Sequence, residues 1–182
     1  NISLTVWIIT LVAKPVFADI NKKHVSLAFT LVAILIIQTM FFLSVANIIT
    51  ISSYSILILS LGAFIVLILL ALRRVNMEAI NELLEQENID ETFYSRPPRY
   101  NLAIFCVMLY TAIEFLFPNN SILGYLALAC MASILGILND FILKDNNILF
   151  KPFIIYLISI LIMTSIGYGF LGFDYLNEDI NA

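Results

Sequence analysis

The chain has 182 residues, 62% of them apolar and 12% charged, with a formal net charge of -4 and a mean hydropathy of +1.00. About a quarter of a soluble domain is charged, so this composition excludes one; lipid is the solvent that can hide so much Ile, Leu, Val and Phe. The acidic balance excludes a nucleic-acid partner, which requires clustered basic residues to neutralise phosphate.

In chain order, apolar runs at 4–17, 25–49, 54–72, 102–117, 122–143 and 153–173 predict an all-α polytopic transmembrane helix bundle. About six spans are expected, in a single membrane domain over 1–182. A span needs ~20 residues at a helical rise, so the first run is short; Lys14 snorkels to the interface, or the start of the chain cuts the span. The chain opens on Asn1 with no basic leader, so no signal peptide is read, and upstream sequence stays an open question. Cys106 and Cys130 both sit inside apolar runs, and nothing suggests a disulfide framework.

Sidedness comes from nine basic residues: Lys14, Lys22, Lys23, Arg73, Arg74, Arg96, Arg99, Lys144 and Lys151. All fall in alternate connections, whereas "ANIITISS", "PNNS" and the tail "DYLNEDINA" contain none. The positive-inside rule then places the 73–100 segment in the cytoplasm and both termini outside, in what is expected to be a bacterial inner membrane. Trp7, Tyr54 and Tyr175 are expected as outer interfacial anchors, and Tyr94 and Tyr100 as inner ones.

Between the third and fourth spans, Met77, Ile80, Leu83 and Leu84 recur at helical spacing. Glu78, Asn81, Glu82, Glu85 and Gln86 take the other face, which predicts an amphipathic cytoplasmic helix along the inner surface. Anionic lipid repels that acidic face, so docking on the bundle or on a partner is expected instead. "SRPPRY" is expected to return the chain in extended form, its prolines excluding helix. Basic–proline pairs recur at Lys14-Pro15, Arg96-Pro97 and Lys151-Pro152; two precede a hairpin of spans, a pattern that hairpin duplication would produce.

Glu114, in "LYTAIEFLF", is the foremost candidate for chemistry, as an ionisable group in a span with no Lys or Arg on its side of the membrane. It reads either as a proton- or ion-binding carboxyl or as a residue reaching outer headgroups and water. Gln38, mid-span with Thr30 and Thr39 nearby, reads as interhelical packing glue or as a ligand contact. Asp140 closes the fifth span near Lys144, as ordinary interface chemistry. Ala132 and Gly136, and Ser165 and Gly169, are small residues at the spacing that lets helices approach closely. The single histidine, His24, cannot supply paired haem ligands. Met40, Cys106, Met108, Cys130, Met131 and Met163 are soft groups that read as packing before copper ligands. No catalytic or metal-ligating set is read.

The order of these features resembles the carboxy-terminal half of the NnrS family. The likeness is carried by "AKPVFADINKKHVSLAF", by the arginine ending a span in "ILLALRRVN", and by the Pro-led late span "LFKPFIIYLISILIMTSIGYGFLGFDYL". It covers most of the chain and about half of a family member. The resemblance implies a polytopic bacterial membrane protein, with haem and copper and a link to nitric oxide stress. Two departures matter. The family's Gly-Gly-Arg-x-Ile-Pro turn is absent, only Arg73 or Arg74 matching its arginine, and the late span lacks the family's His. Haem or copper ligation is therefore carried over to no residue, and the cofactor is left unknown.

Three function classes are expected to compete. The first is a non-catalytic subunit or scaffold, partnered by the lipid bilayer and by other membrane subunits or itself. The second is a transporter or channel with Glu114 and Gln38 in its pathway. The third is a haem/copper protein fragment. An enzyme is not expected.

Overall fold

The computed structural model describes residues 25–87, 89, 92–118, 120–141 and 150–181, together with 3, 6, 7, 10 and 11. Among them are five helices long and apolar enough to cross a membrane. They are α1 (Val25–Val45), α2 (Ser53–Gln86), α3 (Pro97–Leu116), α4 (Ile122–Leu138) and α5 (Pro152–Asn181), with a 3-10 turn over Asn139–Phe141 closing α4. The described residues contain no strand. The all-α architecture is as the sequence led one to expect. The expected first span lies largely outside the described residues, as do Lys14, Lys22, Lys23, His24 and Lys144. Phe29, Leu61, Phe105, Met163 and Phe170 point outward and are well exposed, a pattern suited to lipid rather than water.

The chain divides into two compact units, Asn1–Leu70 and Ala71–Ala182. In the first, α1 ends with Asn47 in the left-handed region at φ 55. The Ile48 N–H bonds to Leu43 O at 2.9 Å and the Asn47 N–H to Ser44 O at 2.9 Å. That is a Schellman stop, with Asn in the role glycine usually fills. Ser44 Oγ then donates to Ile51 O at 2.7 Å and accepts from Ser53 Oγ at 2.8 Å, closing the turn into α2.

Two expectations are corrected in α2 and α3. The amphipathic stretch is no separate surface helix, because α2 runs unbroken to Gln86. Residues 73–86 contain no Gly or Pro, and Leu, Arg, Met, Glu and Ala all favour helix. One buried stripe also carries through: Leu69, Leu72, Asn76, Ile80 and Leu84 recur about one turn apart. Nor do the prolines exclude helix. Pro97 and Pro98 are the first residues of α3, where an N–H has no helical partner to lose. Arg96, at φ -73 and ψ 111, stays extended. Pro152 likewise opens α5, so both described basic–proline pairs mark helix starts.

In the second unit α4 packs against both α3 and α5. Its buried residues Leu123, Gly124, Ala127, Cys130, Ile134 and Ile137 follow the three-four spacing of a single helix stripe. Opposite them α5 buries Ile154, Leu157, Leu161, Ser165 and Tyr168 at the same rhythm. The closest approach is glycine on glycine: a Cβ on Gly172 would sit 3.1 Å from Gly124 O, and one on Gly124 would sit 3.2 Å from Gly172 O.

Candidate functional site

Polar side chains of the second unit gather at two levels. At the first, near the start of α3, Asp140 is buried at the foot of α4. It accepts the Arg96 N–H at 3.0 Å and pairs with the Arg99 guanidinium. The backbone donor left over by an extended residue before two prolines is thus satisfied by a carboxylate from another helix. Asn81 of α2 clamps the connection leading to Arg96: its Nδ2 donates to Phe93 O at 3.1 Å and its Oδ1 accepts the Phe93 N–H at 2.7 Å. The Phe93 ring packs on Phe141 with centroids 5.5 Å apart. Asn76 Nδ2 donates to Tyr100 Oη at 2.9 Å, with both residues fully buried. Tyr100 is therefore a core residue and not an inner-face anchor.

At the second level, near the ends of α3 and α5, Glu114 is half-buried. Tyr110 Oη, one turn back on α3, donates to its Oε1 at 3.1 Å, and Tyr175 Oη of α5 donates to the same oxygen at 3.2 Å. Tyr168 meets Tyr110 edge-on, centroids 5.4 Å apart and planes at 86°. The (i, i+4) spacing of Tyr110 and Glu114 makes the first contact, and the packing of both α3 and α5 on α4 makes the second. Both phenols donate to one carboxylate oxygen, an arrangement that favours the charged form of Glu114.

The other expected residues fall as follows. Gln38 belongs to the first unit, where it lines a cavity of about 230 Å³ with Ile34, Ile37, Phe41, Ile56 and Phe64. Thr30 and Thr39 donate to Ser26 O and Leu35 O in their own helix, at 2.9 and 2.8 Å. Ser165 Oγ donates to Met131 O at 3.1 Å, and a Cβ on Gly169 would meet Met131 Sδ at 2.9 Å, so both lie in the α4–α5 seam. Ala132 is exposed, and a Cβ on Gly136 meets nothing within 4 Å. The close approach therefore runs through Gly124, Gly169 and Gly172. Extending the Ser165–Gly169 row by three residues would have pointed to Gly172; nothing within α4 alone singles out Gly124. The Asn76–Tyr100 and Tyr175–Glu114 pairings carried no local signal, because their partners are 24 and 61 residues apart.

Five membrane-length helices with lipid-suited faces define a multi-pass integral membrane protein. The family model described as NnrS protein matches residues 1–182, so the chain belongs to the NnrS family. Neither a curated protein nor a solved structure matches it.

The family resemblance implies haem and copper, and the described residues offer no clustered metal site. No three or more His, Cys, Asp or Glu side chains among them converge as a metal site would require. Cys130 is wholly buried in the α4 stripe and Cys106 half-buried, and His24 lies outside the described residues. No step through haem or copper is assigned to this chain.

Proposed function

We propose that the chain is a non-catalytic subunit or scaffold of a larger membrane assembly, with the 87–96 connection on the cytoplasmic side of a bacterial inner membrane. The observation that carries the reading is where the polar side chains are spent. Asp140 on Arg96 and Arg99, Asn81 on Phe93 and Ser165 on Met131 each tie one element to another instead of lining an open site. Ties of this kind fix helix register. The orientation is supported by Arg96, Arg99 and Lys151, which all lie beside the starts of α3 and α5. The test is purification of the complete chain in gentle detergent, with mass and visible absorbance recorded on one peak. A colourless peak holding further membrane subunits, or further copies of the chain, at fixed stoichiometry is expected. A monomer alone, or a stoichiometric haem band, overturns it.

A second reading, transport of a proton or small cation, is favoured by one observation. The electrostatic partners of Glu114 are Tyr110 and Tyr175, with no Lys or Arg among them in the described residues. Ion flux through proteoliposomes that Glu114→Gln abolishes would support this reading, and flux that the substitution leaves unchanged would end it.

A further inference from the structure

We infer that one water molecule is bound inside the second unit between Asn76, Ser95 and Tyr100, where α2, the 92–96 connection and the first turn of α3 meet. All three residues are wholly buried, at 0% exposure. Asn76 Nδ2 is used by Tyr100 Oη, but Asn76 Oδ1 and Ser95 Oγ are buried without a hydrogen-bond partner. Turning the amide over changes which of its atoms is left over and does not remove the deficit. Ser95 is near enough to the same phenol hydroxyl to act on it as a polar neighbour, yet its Oγ makes no hydrogen bond of good geometry, so both underused atoms lie by one oxygen.

The chemistry of the three groups selects the ligand. A buried polar group without a partner carries its full desolvation cost, so a partner is called for. Asn76 Oδ1 needs a donor. The hydroxyl of Tyr100 already accepts from Asn76 and has its own hydrogen to give; Ser95 has a hydrogen and two lone pairs. A water donating to Asn76 Oδ1 and accepting from Tyr100 or Ser95 meets the ~2–4 partners an interior water requires. An anion has no place beside an orphan acceptor. A hard metal cation takes ~6 or more oxygens, far more than this neutral set provides. The charges of Asp140 and Arg73 also act on Tyr100, but Asp140 is already engaged by Arg96 and Arg99. A neutral dipole is what remains. The bound water joins the polar turn of α2 to the start of α3, a link that the scaffold reading does not require.

The test has two arms. Ser95→Ala in the complete chain, in detergent, is expected to lower the unfolding midpoint by about 2–4 °C, the shift that loss of one hydrogen bond gives at this length. Its effect is expected to be non-additive with that of Asn76→Ala. Without the water, Ser95→Ala would delete an orphan hydroxyl, and an unchanged or raised midpoint overturns the inference. An experimental map of the wild-type protein that resolves ordered waters is the second arm and does not depend on a variant folding. Density within hydrogen-bonding reach of Asn76 and Ser95 is expected; its absence, with waters clear elsewhere, overturns the inference.

Discussion

Asp140→Leu is the most informative single substitution. The Asp140 side chain is wholly inaccessible and that of Arg99 only 25% exposed. The substitution therefore removes the acceptor of the Arg96 N–H and leaves a largely sheltered guanidinium without its counter-charge. Breaking a buried pair by removing one partner costs about 3–5 kcal/mol. Arg99 can turn part of its charge towards water, which lowers the expectation to about 2–3 kcal/mol. At about 2–4 °C per kcal/mol for a chain of this length, the midpoint in detergent is expected to fall by about 4–12 °C. Asp140→Asn keeps an acceptor for Arg96 and loses the charge, so it is expected to lie between Leu and wild type. Arg99→Met, which removes the charge along with its need for a partner, is expected to cost less in the Asp140→Leu background than in wild type. A midpoint for Asp140→Leu within about 1 °C of wild type, on a scale of 2–4 °C per kcal/mol, refutes the reasoning.

Other substitutions probe separate contacts. Gly172→Ile drives a branched side chain towards Gly124 O and Leu128, and is expected to destabilise by about 1–3 kcal/mol or more as an overpacked seam. Gly136→Ala meets open space and is expected to be neutral or to stabilise by up to about 1 kcal/mol, as helical alanine does; one thermal series measures both. Asn81→Ala removes both bonds to Phe93, so amide exchange at 92–96 is expected to rise while the α4–α5 seam stays protected. Lys151→Met breaks an ion pair with Glu87 whose side chains are 42% and 47% exposed, and is expected to shift stability by less than about 1 kcal/mol.

The spans were legible because membrane length and hydrophobicity are properties of contiguous sequence, and α1, α4 and α5 start where their apolar runs do, to within a residue. The course of 73–100 was harder to read. Its periodicity gave the right face, with Ile80 and Leu84 inward and Glu78 and Glu82 outward, but periodicity does not say whether a helix continues from its neighbour. Proline was misread for a positional reason. Pro97 and Pro98 would break a helix in its interior, yet they sit where a helix can begin. Glu114 and Tyr110 were close enough in sequence to pair by spacing, whereas Tyr175 reaches the same oxygen from 61 residues away. The small-residue rows gave one side of the α4–α5 seam and missed Gly124, because a close approach depends on both helices at once.

The measurement that bears most directly on the membrane bundle is a pair of reporter insertions in the complete chain, one after Ile89 and one after Pro118, on the two flanks of α3. If α3 crosses the membrane with the Arg96–Arg99 end inside, the first reporter is active only in the cytoplasm and the second only outside. Both reporters on the same side would contradict the crossing itself; a clean reversal would keep the bundle and invert its orientation.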